Sequence, residues 1–234
     1  MQWFYSESKE LNGNITLSYS ESHHCTRVLR MQNGNNLVCT DGKGNYYECE
    51  IIDINPRSTV LKVLKHEKDF GKRPYTLHIA IAPTKNNVRM EWFLEKSTEI
   101  GITEVTPILC THSERKVIKP DRFRRVIESA MKQSQQTYLP KLNEMISFEQ
   151  FVNNNISGKK YIAYCEEIPA IHLNKALCKD SEILVMIGPE GDFSKEEVKL
   201  ATENGFIPVG LGNTRLRTET AGIVASALVA NSFV

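Results

Sequence analysis

The chain has 234 residues, 41% of them hydrophobic and 24% charged, with a formal net charge of +1. That length buries a sizeable core without staples, and the near-neutral balance excludes a polycation that coats nucleic acid over its whole surface. No run approaches the roughly 18–20 apolar residues of a membrane helix, and the opening MQWFYS lacks the basic n-region and apolar stretch of a leader, so a cytoplasmic location is expected.

In chain order, WFYS, NITLSYS, NNLVCTD, YYECEIIDI and STVLKVL are short, rich in β-branched or aromatic residues and separated by turn signals, so they read as strands. NGN at 12–14, NGN at 33–35 and DGKGN at 41–45 carry the glycines that tight hairpins need. SHHCTRVLRM, residues 22–31, is expected to be one short helix. So many strands in residues 1–70 predict a small barrel or rolled sheet. HEKDFGKRP, residues 66–74, reads as a linker.

From Tyr75 strands and helices alternate. LHIAIAP (77–83), VTPILC (105–110), YIAYCE (161–166), EILVMIG (182–188) and FIPVGLG (206–212) are expected strands. The expected helices are VRMEWFLEKSTEIGI (88–102), DRFRRVIESAMKQSQQ (121–136), SFEQFVNNN, IHLNKALC, SKEEVKLATENG (194–205) and TETAGIVASALVANSF (218–233). Ser194 and Glu197 have capping-box spacing. This alternation over 75–234 predicts an α/β domain with a mostly parallel sheet covered on both faces.

The six cysteines, Cys25, Cys39, Cys49, Cys110, Cys165 and Cys178, form no C-x-x-C, and no histidine cluster has zinc spacing. Reduced, mostly buried thiols and no metal site are expected. Two basic stretches stand out on the neutral chain: KVLKHEKDFGKR at 62–73 and RKVIKPDRFRR at 115–125. Each is either a solvated face or a patch for an anionic partner.

In open parallel sheets ligands bind beyond the carboxyl ends of the strands. Three such ends carry unusual residues: APTK (82–85), IGPEG (187–191) and LGNTRLRTETAG (211–222). Gly210 and Gly212 permit close backbone approach, Thr218 is a candidate N-cap, and Glu219 in the first turn suits the helix dipole. Gly222, Ser226 and Ala230 are four apart and share a small face, which admits either a neighbouring backbone or a flat ligand. IGPEG is neither a Walker A loop nor G-x-G-x-x-G, which disfavours a nucleoside triphosphate and leaves open a nucleoside without phosphates.

IGPEGDFSKEEV followed by LGNTRLRTETA resembles the 16S ribosomal RNA (uracil-N3)-methyltransferase family, a branch of the SPOUT methyltransferases. EKSTEIG (95–101), THSER (111–115), QSQQTYLP (133–140) and HHCTRVLRMQNGN (23–35) resemble further signatures of that family. Asp192 stands where many relatives have another glycine. The resemblance implies a PUA-like RNA-binding barrel at 1–70 and, at 75–234, a SPOUT methyltransferase domain with a deep C-terminal trefoil knot. It also implies a homodimer, S-adenosylmethionine as cofactor, and 16S ribosomal RNA, within the small subunit, as partner.

For the cofactor the resemblance implies Ile187, Gly188, Pro189, Glu190 and Gly191 as one wall, Leu211 and Gly212 as backbone contacts, and Leu216, Arg217, Thr218, Thr220 and Ala221 as a third side. Uracil N3 must lose its proton before it attacks a methyl group. Arg217 is the expected stabiliser of the resulting anion, and Glu219 or Glu190 the expected base. The alternative for Glu219 is a helix-dipole partner, and for Arg217 an interface salt bridge. Arg27, Arg30, Arg115, Lys116, Arg122, Arg124 and Arg125 are the expected RNA contacts. Ribose 2′-O-methylation and a non-catalytic RNA-binding assembly factor are the competing functions.

Overall fold

The computed structural model describes residues 1–8, 11–154, 157–165, 171–177 and 181–234. Cys178 and the end of the expected strand YIAYCE lie outside the described residues. Contacts divide the chain into two units, residues 1–72 with 128–139, and residues 73–127 with 140–234.

The first unit is built on β1 (Trp3–Tyr5), β2 (Asn14–Thr16), β3 (Asn36–Thr40), β4 (Tyr46–Asp53) and β5 (Val60–Glu67). Their order in the sheet is β1-β3-β4-β5-β2, with β1 parallel to β3 and the other pairs antiparallel. Tyr47, Cys49 and Ile51 alternate inward along β4, as a half-buried strand requires. They meet Phe4, Ile15, Leu37, Cys39 and Leu61 in one cluster. Beyond β1, the Ser6 hydroxyl donates to the Thr16 carbonyl of β2 at 3.1 Å, so the sheet's two edges curl toward each other.

The expected helix at 22–31 starts earlier: α1 spans Tyr19–His23 and continues as a π-helical turn, His24–Val28. Ser18 sets that start, since its side chain accepts from the Glu21 N–H at 3.3 Å. Glu21 is buried, accepts from the Tyr5 N–H at 3.2 Å, and pairs with Lys132 at 2.5 Å. Residues 128–139 thus pack with this unit, whereas a single cut near residue 70 assigns them to the second. The Gly44 N–H donates to the Thr137 carbonyl at 2.8 Å, and the Leu139 N–H to Gly42 at 2.9 Å, seating QSQQTYLP on the DGKGN hairpin.

The second unit contains β6 (Thr76–Ile81), α2 (Asn87–Ile100), β7 (Glu104–Leu109), α3 (Pro120–Gln133), β8 (Lys141–Leu142), β9 (Ile146–Ser147), α4 (Phe148–Asn153) and β10 (Lys159–Ala163). It continues with β11 (Ile171–His172), α5 (Leu173–Ala176), β12 (Glu182–Ile187), α6 (Lys195–Glu203), β13 (Ile207–Gly210) and α7 (Thr218–Asn231). From Glu128 the turns of α3 belong to the first unit.

The sheet is parallel, in the order β11-β13-β10-β12-β6-β7-β8, with β9 beside β7. β12 lies between β10 and β6, and its apolar run is buried from Ile183 to Ile187. Side chains alternate between faces: Ala80, Ala82, Leu184 and Met186 join Phe151, Phe193, Val198 and Phe206 on one side. On the other side α7 lies close against α2, where a Cβ on Gly222 would stand 2.5 Å from Phe93. β10, β12 and β13 are adjacent, so three loops leave the sheet at one edge of its carboxyl end.

Candidate functional site

Those three loops enclose a cavity of about 640 Å³. Its wall is residues 163–165 after β10, 187–190 and 192 after β12, and 209–218 with 221 from β13 into α7. IGPEG and LGNTRLRTETA, separated in sequence, therefore face one space. Of the expected cofactor residues, Ile187, Gly188, Pro189, Glu190, Leu211, Gly212, Leu216, Arg217, Thr218 and Ala221 line it, while Gly191 and Thr220 do not. Residues 163–165 were not anticipated; only the strand order brings them here, and no local motif marks them.

The Gly-Pro-Glu-Gly turn is closed by the Asp192 N–H donating to the Pro189 carbonyl at 3.0 Å. Asp192 is left-handed at φ 62°. Its carboxylate accepts from the Phe193 N–H at 2.8 Å and from the Cys165 N–H at 3.2 Å, joining two walls of the cavity. The glycines of this turn answer first to the protein's own packing. A Cβ on Gly188 would come within 3.1 Å of the Phe193 ring, and one on Gly191 within 3.0 Å of His112 Cβ. His112 Nδ1 lies 3.0 Å from the Asp192 carbonyl. Ser194 and Glu197 form the expected capping box at the start of α6. Glu197 also accepts from the Thr111 N–H at 2.8 Å, tying the loop after β7 to this one.

At the head of α7 the N-cap is Arg217, not Thr218, because the extended backbone ends at Arg217 (φ −72°, ψ 154°), one residue earlier than expected. The Thr218 hydroxyl instead donates to the Gly188 carbonyl at 3.0 Å, fastening α7 to the end of β12. The small face of α7 is spent on protein packing: Gly222 abuts Phe93, and Ser226 Oγ is 3.2 Å from Ser97 Oγ of α2.

Arg217 and Glu190 both line the cavity. Glu190 accepts from the Lys85 N–H at 3.0 Å. Glu219 is not in the cavity wall. It is buried, with one carboxylate oxygen 3.6 Å from Arg89 of α2 and the other accepting no hydrogen bond among the described residues. Of the two candidate bases, only Glu190 reaches the cavity.

The basic stretches are partly neutralised. Arg122 bonds Glu91 at 2.8 Å, Arg124 bonds Asp121 at 3.0 Å, and Arg125 donates to the Asp121 carbonyl at 3.2 Å. Arg115 directs its guanidinium to the carbonyls of Thr84 and Lys85. Lys116 is exposed, as are Arg27 and Arg30 in the first unit. Among the described residues, no group of histidine, cysteine and carboxylate side chains could hold a metal, and no helix is long and apolar enough to cross a membrane. Cys25, Cys39, Cys49 and Cys110 are buried, and Cys165 is exposed. Burial, helped by Glu21, pushes the Cys25 thiol up to about 11.

An α/β unit with a ligand-sized cavity at the carboxyl ends of parallel strands, and a curled β unit before it in the chain, defines a two-part protein of the class that binds a small molecule at a sheet edge. The family model described as an RNA methyltransferase domain matches residues 71–230, and one described as an RNA methyltransferase PUA domain matches residues 18–64. The chain belongs to this RNA methyltransferase family. A probable rRNA-methyltransferase from Porphyromonas gingivalis is 38% identical with a TM-score of 0.89, covering 100% of this chain and 98% of its own. A ribosomal RNA small subunit methyltransferase E from Neisseria gonorrhoeae, solved bound to S-adenosylmethionine, is 26% identical with a TM-score of 0.87, covering 99% and 97%. Ribosomal RNA small subunit methyltransferase E of Bacillus subtilis is 28% identical over 92% of this chain and 89% of its own.

Proposed function

We propose that this protein transfers a methyl group from S-adenosylmethionine to N3 of a uridine in 16S ribosomal RNA of the small subunit. The observation that carries this is the convergence of IGPEG and LGNTRLRTETA, with the end of β10, on one cavity. Its size of about 640 Å³ lies within the usual range for cofactor sites. The naming of relatives as small subunit methyltransferase E, and a bound S-adenosylmethionine in one of them, support the substrate and the cofactor. Ile187, Gly188, Pro189, Glu190, Leu211, Gly212, Leu216, Arg217, Thr218 and Ala221 would hold the cofactor.

When bound, S-adenosylmethionine supplies an electrophilic methyl group whose leaving sulfur departs neutral and needs no acid. The chain's own task is to prepare the nucleophile. Glu190 accepts the N3 proton, and the Arg217 guanidinium stabilises the uracil anion by its positive charge in a partly dry cleft. Glycine backbone groups at 188 and 212 recognise the nucleoside, and the walls orient it, a contribution of several kcal/mol in order of magnitude. Thr218 keeps Gly188 in place through its 3.0 Å bond.

The same reading includes a knotted C-terminus, a homodimer and a cytoplasmic location. The dimer is supported by α7, which has no charged residue after Glu219 and leaves Ile223, Val224 and Leu228 only half-buried; apolar side chains on more than one side of a helix seek cover. The basic residues of both units would hold RNA by its phosphates.

Mass spectrometry of nucleosides from small-subunit RNA, with and without this gene, tests the activity. The expected result is loss of one N3-methyluridine. Loss of a ribose methyl group, or of none, contradicts it. Calorimetry with S-adenosylmethionine separates catalyst from assembly factor: no binding favours the factor, and binding with turnover excludes it.

A further inference from the structure

APTK, at residues 82–85, ends β6 yet contributes nothing to the cavity wall. It is nevertheless held from several sides. Arg115 Nε donates to the Thr84 carbonyl at 2.9 Å, and a terminal guanidinium nitrogen donates to the Lys85 carbonyl. The Lys85 ammonium pairs with Glu114 at 2.7 Å. On the opposite side, the Lys85 N–H donates to Glu190 at 3.0 Å.

The Thr84 carbonyl and the Lys85 N–H belong to a single peptide group. A guanidinium therefore sits on its oxygen and a carboxylate on its hydrogen. Cation, peptide dipole and anion are aligned, the order in which each bond polarises and strengthens the next. The exposed Lys85–Glu114 pair contributes little by comparison. Glu190 is the carboxylate that lines the cavity, and Arg115 is otherwise a member of a basic stretch that could be read as RNA-facing. An arginine spending two donors on backbone carbonyls has fewer to offer a phosphate.

We infer that Arg115 is a positioning residue: acting through the Thr84–Lys85 peptide, it fixes the Glu190 carboxylate at the cavity rim. This explains why THSER and APTK stand out beside the cavity motifs. Its effect on turnover rests on the methyl-transfer reading above; its effect on the loop does not.

The full-length protein and its variants Arg115→Ala, Arg115→Lys, Glu190→Gln and the Ala/Gln double variant decide the matter, each confirmed folded by its melting curve. Amide hydrogen exchange at Lys85, followed without cofactor or RNA, is expected to accelerate in Arg115→Ala and in Glu190→Gln. Arg115→Lys restores part of the protection. For methyl transfer, Arg115→Ala is expected to lower kcat on the order of 10²-fold, the scale of a misplacement of about 1 Å. The double variant should be no slower than Glu190→Gln alone, as for two residues acting through one path. The salt dependence of RNA binding should stay as in the wild type. Unchanged Lys85 exchange in Arg115→Ala overturns the inference. So does a salt slope reduced by about one with kcat intact, which would make Arg115 a phosphate contact. Should the wild type transfer no methyl group, the functional reading fails, and Lys85 exchange still decides the role of Arg115.

Discussion

Asp192 holds a left-handed backbone at φ 62° at the close of the Gly-Pro-Glu-Gly turn. Aspartate and glycine are both residues that this region admits readily. Aspartate adds a carboxylate that bonds the Phe193 and Cys165 amides. Asp192→Gly should therefore lose only these bonds, about 1 kcal/mol each. Asp192→Ala should lose them and also bear about 1–2 kcal/mol of backbone strain. Urea midpoints are expected in the order wild type, Gly, Ala; Ala equal to Gly would remove the backbone argument. Thr218→Val tests the other joint of the cavity. Loss of the buried bond to Gly188 should cost about 1 kcal/mol in unfolding free energy, and S-adenosylmethionine binding should weaken with it.

At the scale of elements, α7 depends on its contact with α2. A leucine at Gly222 would meet Phe93 and Ile81, 2.5 Å and 3.2 Å from the first added carbon, so Gly222→Leu should destabilise by about 1–3 kcal/mol or prevent folding. The sheet carries a pH-sensitive group as well. His78 of β6 lies 2.7 Å from the Thr106 hydroxyl and packs edge-on against Phe151. Burial lowers its pKa, outweighing the nearby Glu104 carboxylate, which pulls the other way. The unfolded chain thus binds this proton more readily than the folded one, so the stability present above the unfolded value of about 6.5 is lost as pH falls below it through the lower folded value. His78→Gln should flatten that part of the pH–stability curve measured by denaturant titration. β12 and α6 were legible because a continuous apolar run and a Ser194–Glu197 capping box are local signals. β8, β9 and β11 were not: two residues each, they exist only by pairing with β7 or β13.

For the whole molecule, the cavity motifs were legible as a pair, whereas their third wall at residues 163–165 depends on β10 lying between β12 and β13. Glu190 and Glu219 could not be ranked from sequence, since a first helical turn presents side chains to both the cavity side and the α2 side. The return of residues 128–139 to the first unit rests on backbone bonds to the hairpin at 41–45, which leave no pattern within that segment. On the proposed reading, RNA binding draws on basic residues of both units. Replacing Arg122, Arg124 and Arg125 together should weaken it and reduce its salt slope. Because Arg122 and Arg124 already hold Glu91 and Asp121, the reduction should be smaller than three free arginines would give; an unchanged slope removes this helix from the interface. The central claim is that the loops after β10, β12 and β13 hold S-adenosylmethionine. A crystal structure of this chain with S-adenosylmethionine tests it most directly. The account predicts the nucleoside against Gly188, Leu211 and Gly212, with Glu190 and Arg217 beside the methyl group. A ligand bound elsewhere, or that cavity filled by the protein's own side chains at saturating ligand, would contradict it.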